Sequence, residues 1–118
     1  MFLEIKGKFR INCVLKRHLS PKTVGKIFRS VPINANLHKF GSVGIYFEAQ
    51  VTSGLERPKK EFRSGDIAFH PIGNHIYLFY KDFVHNTPMT PIGKIISSVD
   101  QLSKSEIGDE ISLYSEIG

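Results

Sequence analysis

The chain has no tryptophan, a single cysteine and no hydrophobic run of membrane-spanning length. One cysteine excludes an intramolecular disulfide and any zinc site built from several thiolates. Cys13 lies in an alternating strand-like stretch, which is the setting of a small core residue rather than of a thiolate activated at a helix N-terminus. A reducing compartment fits. Every apolar run falls far short of the ~18 residues that a spanning helix requires, and residues 1–6 lack the apolar core of a signal peptide. The reading is therefore cytoplasmic. Also missing are a Gly-x-Ser-x-Gly elbow and any Gly-rich phosphate loop of Walker or Rossmann spacing, which argues against hydrolase and nucleotide-dependent chemistry. The acidic residues fall mostly in loops and near the C-terminus, where solvated charge is the ordinary reading.

What is present is enough for one compact domain spanning residues 1–118. The chain has 118 residues, 41% of them hydrophobic, and can bury about two-thirds of its unfolded surface without covalent or metal staples. The net charge of +5 is unevenly spread. Residues 1–63 carry 13 Lys/Arg against 4 Asp/Glu, and residues 64–118 carry 3 against 7. The asymmetry suggests a basic face, provided the two halves do not interleave in space.

Two segments alternate with period two. Phe9, Ile11, Cys13 and Leu15 form one inward set, and Ile45, Phe47, Ala49 and Val51 form another, opposite Tyr46, Glu48 and Gln50. Shorter runs of the same kind cover residues 2–6, 67–70, 76–80, 92–96 and 110–114, with an eighth strand at 36–40. Turns are signalled by Ser64-Gly65-Asp66, Gly73-Asn74 and Gly108-Asp109. Ser20 followed by Pro21 opens a helix in which Val24, Ile27, Phe28 and Val31 share one face. A second, short helix is expected around residues 99–102. Many evenly spaced strands with one longer and one shorter helix predict a mainly β protein: a closed antiparallel barrel of about eight strands, its ends capped by the helices. Residues 52–63, with alternating charge, Gly54 and Pro58, read as an exposed loop. Ser105-Glu106-Ile107-Gly108 recurs as Ser115-Glu116-Ile117-Gly118, a period too short for a solenoid.

Among the five histidines, His70 and His75 flank a tight Pro71-Ile72-Gly73-Asn74 connection. Two imidazoles do not make a zinc site, which wants three or four ligands, so no metal and no cofactor are expected. The basic half, interspersed with Phe28, Phe40, Tyr46 and Phe62, offers an RNA-binding alternative. Such cations are more often a solubilising surface, and neither nucleic acid nor membrane is expected as a partner. Strand parity is more informative. Tyr46, Gln50, His70, Tyr77 and Phe79 all fall opposite the inward sets Ile45/Phe47/Ala49, Ile67/Phe69 and Ile76/Leu78. If the strands adjoin, their outer wall carries a ring-lined groove suited to an extended peptide, a proline ring or a small ligand.

The order of these pieces resembles the cyclophilins, in particular the small prokaryotic cyclophilin-like domains. The resemblance spans nearly the whole chain. It rests on Ser20-Pro21-Lys22-Thr23-Val24, on Phe40-Gly41 with Gly44-Ile45-Tyr46-Phe47, on Gly65-Asp66-Ile67-Ala68-Phe69-His70-Pro71-Ile72-Gly73, and on Pro91-Ile92-Gly93-Lys94-Ile95. It implies an antiparallel barrel whose outer groove binds X-Pro peptides and, in cyclophilins, catalyses rotation about the prolyl bond by binding the twisted state. It also places Met89 where cyclophilins carry a groove histidine. The strand matching the cyclophilin Phe-His-Arg segment, residues 44–49, contains no arginine. With the usual catalytic Arg, Trp and His unmatched, the expected function is a peptide- or small-ligand-binding module with at most weak peptidyl-prolyl isomerase activity. The alternative is a working isomerase with a non-standard site. The expected groove is Tyr46, Tyr77, Phe79 and Met89 for apolar contact, with Gln50 and His70 for hydrogen bonds.

Overall fold

A computed structural model describes residues 1–115. The first hairpin shows how the alternation works. Strands β1 (Phe2–Ile5) and β2 (Phe9–Leu15) pair antiparallel, and Leu3, Ile5, Ile11, Cys13 and Leu15 turn inward and are buried. Helix α1 (Pro21–Ser30) follows, with Pro21 at its first position and Val24 and Ile27 buried. The remaining strands are β3 (Ile33–Asn36), β4 (His38–Phe40), β5 (Gly44–Glu48), β6 (Lys59–Phe62), β7 (Asp66–His70), β8 (His75–Phe79), β9 (Phe83–Ile95) and β10 (Glu110–Tyr114). A 3₁₀ turn at Val99–Lys104 supplies the expected short helix and buries Leu102. The second Ser-Glu-Ile-Gly copy runs beyond Ser115 and lies outside the described residues.

Two expectations need correction. There are ten strands rather than about eight, and the sheet does not close into a barrel. Its spatial order is β3-β10-β1-β2-β9-β7-β8-β5-β4, with β6 attached to β9. The two ends of that order, β3 and β4, are consecutive in the chain and separated only by Leu37. A strand cannot pair with its own direct continuation, because antiparallel pairing needs a reversing turn between the partners. Leu37 is instead fully buried, its N–H given to Asp109 O at 2.8 Å and its carbonyl accepting from Gly108 N at 3.0 Å. Gln50 spans the opening from the β5 side, donating from Nε2 to Asn34 O at 3.3 Å.

The strands unforeseen in the sequence have a common explanation. The region 52–63 was expected to be loop throughout, yet its last residues form β6, an edge strand whose Lys59, Lys60 and Glu61 face solvent while Phe62 is buried. Charged side chains on an edge strand look like loop in a composition-based reading. Strand β9 begins at Phe83, well before the expected run at 92–96, and includes Pro88 and Pro91, which a central strand disfavours. The strand tolerates them because it changes partners there. Its first half pairs with β6, and its second half runs between β7 and β2, with a register shift opposite Ile67 and Ala68.

One large cluster fills the inside of the sheet, dominated by Leu, Ile and Val with Phe47 and Phe69, and helix α1 closes one end of it. Where β9 passes β2, Gly93 is required. A Cβ at that position would stand 2.0 Å from the carbonyl oxygen of Val14.

The start of α1 departs from the expected cap. Ser20 is the cap residue by position, but its hydroxyl donates to Pro91 O at 2.7 Å. The free amides of the first turn go to Glu56 instead, whose carboxylate accepts from Thr23 N at 2.6 Å, Thr23 Oγ1 at 2.7 Å and Lys22 N at 3.2 Å. Burial acts to raise the Glu56 pKa, but the bonds from Thr23 and Lys22 outweigh it and hold the carboxyl below its ordinary value. The 51–58 segment is thereby fastened to the helix.

Candidate ligand-binding face

On the outer side of β4, β5 and β8, cross-strand register makes a row of rings. His38 lies opposite Tyr46, and Tyr46 opposite Tyr77. Directly opposed side chains on one face of an antiparallel pair touch, and these stack: His38 on Tyr46 at 5.1 Å and 20°, Tyr46 on Tyr77 at 4.8 Å and 17°. His75 meets the edge of Tyr46 at 5.0 Å. Two residues along β8, Phe79 continues the row beside Tyr77 and stacks on Phe62 of β6 at 5.0 Å and 7°.

β6 and the first half of β9 form an arm that lies over this face. Phe62, Met89, Tyr77, Phe79 and Ala68 make a second buried cluster, with Phe40, Tyr46 and Phe83 packed at its margin. A hydrogen-bonded chain fixes the arm at its far end. His70 donates from Nδ1 to Ile72 O at 2.8 Å, and its Nε2 is hydrogen-bonded with the Thr87 hydroxyl at 2.9 Å. His85, 5.4 Å from His70 between ring centres, has Thr87 N at 3.1 Å and Thr87 O at 3.0 Å from its Nδ1. Neutral Nδ1 accepts from the amide, and a protonated one donates to the carbonyl. Burial pulls the pKa values of both His85 and His75 below the ordinary histidine value. The neighbouring His70 adds to this for both, and His38 for His75, while Glu48 opposes it at His75. Burial also raises the Tyr77 phenol, with Tyr46 contributing.

The residues expected to form a groove are thus placed as follows. Tyr46, His70, Tyr77 and Phe79 share one outer face. Tyr46 is half-exposed and His70 and Tyr77 are nearly buried; Phe79, beneath the arm, and Met89, on the arm's inner side, have no exposed surface. Gln50 is exposed but stands apart, turned toward β3. The sequence reading did not find His38, Phe40, His85 or Thr87. Parity could have suggested His38, two residues before Phe40 on a short strand. His85 and Thr87 come to the face only because β9 is longer than its prolines indicate. His70 and His75 are register partners, and both His70 nitrogens are already bonded. Among the described residues no group of three or more His, Cys, Asp or Glu is placed to hold a metal ion.

The family model for cyclophilin-like proteins matches residues 1–114. The chain belongs to the cyclophilin-like family. A search of curated proteins gave no match. Among solved structures, the hypothetical protein AF2241 from Archaeoglobus fulgidus superposes with a TM-score of 0.77 at 23% identity, covering 96% of this chain and 91% of that one. McbB, solved in complex with tryptophan, superposes with a TM-score of 0.78 at 12% identity over 94% of this chain and 43% of its own. At these identities the likeness is one of fold. This cyclophilin-like chain has no helix long and apolar enough to cross a membrane among its described residues.

Proposed function

We propose that this cyclophilin-like chain is a binding module for a ring-bearing ligand, a proline-containing peptide or a small planar molecule, taken on the outer face at the open end of the ring row. The observation that supports the reading is the uninterrupted stack His38-Tyr46-Tyr77, exposed at one end and continuous with a buried cluster at the other. A stack of this kind presents a flat apolar surface at little entropic cost, because each ring is already held by its neighbours. His38, Tyr46 and His75 contact the ligand, Tyr77 and His70 form the base, and Phe79 below and Met89 on the arm hold the rings in place. Isomerase activity is at most weak in this reading, since β5 carries no arginine to favour the twisted prolyl bond.

Titration with X-Pro peptides, and with tryptophan because McbB, which shares this fold over 43% of its length, was solved in complex with it, should shift NMR signals of Tyr46, His75 and Tyr77 and leave those of α1 unchanged. Saturating additions that move none of the three would remove the proposal. A protease-coupled prolyl isomerisation assay separates the alternatives: rates well above buffer over several X-Pro peptides would favour a working isomerase.

A further inference from the structure

We infer that the outer side of α1, with Lys22, Lys26 and Arg29 in one row and Arg17 beside it, docks the phosphodiester backbone of a nucleic-acid strand.

Between residues 5 and 47 the sequence contains no Asp or Glu at all. Part of that one-sided charge is cancelled in the fold, at Lys6 and Lys8. β10 lies against β1, so Lys6 pairs with Glu110 at 3.2 Å, and Lys8 with Asp109 at 2.9 Å and Glu106 at 3.6 Å. Lys59 and Lys94 share Asp66. None of the ion pairs among the described residues reaches Arg17, Lys22, Lys26 or Arg29. Lys26 gives its ammonium to a neutral carbonyl, Thr52 O at 2.7 Å. Glu56 is the carboxylate at this helix, and it is committed to the backbone amides and hydroxyl of the first turn. Four cations of the basic half therefore lie on or beside this helix outside those ion pairs, with the Glu56 carboxylate offsetting part of the Lys22 charge.

The row has a definite shape. Positions i, i+4 and i+7 lie on one side of a helix and rise about 6 Å and then about 4.5 Å. Gly25 carries no side chain beneath this row, and a Cβ there would meet the Arg29 guanidinium at 3.4 Å. The Arg17 guanidinium rests over Phe28 at 4.9 Å. The apolar side of the helix, Val24 and Ile27, is spent on the core. The exposed row offers no large apolar side chain to insert into a lipid surface, which an interfacial helix requires. Leu55, on the loop that holds Glu56, is a lone exposed leucine. With no exposed ring for bases to stack on, the contact is to phosphates and is independent of sequence. Composition alone did not favour a nucleic-acid partner. The folded arrangement does, because helical spacing sets Lys22, Lys26 and Arg29 in one row and the C-terminal acids pair with Lys6 and Lys8 rather than with it.

Fluorescence anisotropy with an oligouridylate and an oligothymidylate of equal length, over a series of salt concentrations, tests the inference. The variant Lys22→Gln/Lys26→Gln/Arg29→Gln should bind at least about tenfold more weakly, and its log-log salt slope should fall by about 2. The control Lys60→Gln/Lys81→Gln/Lys104→Gln removes the same charge from exposed positions elsewhere and should keep both. Binding of either oligonucleotide supports the inference. Equal losses in the two variants would mean attraction by net charge only. Absence of binding at low salt, or binding to phosphatidylserine vesicles without binding to either oligonucleotide, would also overturn it.

Discussion

Strands β7 and β8 are covered on both faces, and by different kinds of residue. Inward, Ile67, Phe69, Ile76 and Leu78 join a mostly aliphatic cluster closed by α1. Outward, Ala68, Tyr77 and Phe79 lie under an aromatic arm formed by β6 and the start of β9. The inner cluster draws on most of the strands and on the helix. The outer one depends on a two-stranded ribbon, an element of marginal stability by itself. Stability is therefore spread through the inside, whereas the outer cluster rests on a ribbon laid over rings.

The largest expected effect follows directly. Phe69→Ala, in the inner cluster, should lower global stability by about 3–5 kcal/mol in chemical denaturation. Phe62→Ala, on the arm, should cost about 2–3 kcal/mol and act mainly by local opening. Amide exchange should quicken in β6 and at residues 83–89 while β1, β2 and β10 stay protected. Equal global losses for both variants would make the two faces one cooperative unit and break the distinction.

A smaller effect is expected at the helix start, where Glu56→Ala removes the carboxylate that caps α1. The loss should be about 1 kcal/mol, typical of a helix cap, and exchange at Lys22 and Thr23 should rise. Unchanged exchange there would show that the 51–58 segment is held by other contacts.

The smallest effect separates the two faces by pH. His75 and His85 lie on the outer side, and both have folded pKa values below the ordinary histidine value. The unfolded or opened chain then binds protons that the closed one does not, so stability is full above about pH 6.5 and declines as pH falls through the folded values. Amide protection at Thr87 and Tyr77, corrected for the slower intrinsic exchange at lower pH, should therefore fall between neutral pH and pH 5, ahead of any change in the inner cluster, which contains no histidine. A simultaneous change on both faces would argue that the arm does not open by itself.

Much of this architecture was legible in the chain. Alternation placed Ile11, Cys13, Ile45, Phe47, Ile67 and Leu78 inside, because side chains on a strand change sides with every residue. Pro21 marked the helix start, and the cyclophilin-like motifs marked the family. The same parity brought Tyr46, His70, Tyr77 and Phe79 to one face. Parity says which side a residue occupies, but it does not say what lies above it. The arm was not legible because β6 reads as charged loop and the first half of β9 carries prolines. Hence Phe79, expected at a groove surface, lies beneath a cover, and Met89 is buried on the inner side of that cover. Ser20 had the right residue type for a cap, yet a carboxylate 36 positions later took the role.

The sequence by itself determined the alternation, the helix and the excess of cations, since these are properties of neighbours along the chain. Three things came only from the folded arrangement: that the ladder stays open at Leu37, that the ring row is half roofed, and that the acids near the C-terminus pair with Lys6 and Lys8 of the β1–β2 turn and not with α1. Each depends on segments far apart in sequence meeting in space, and no local pattern of residues records where a distant strand will come to rest.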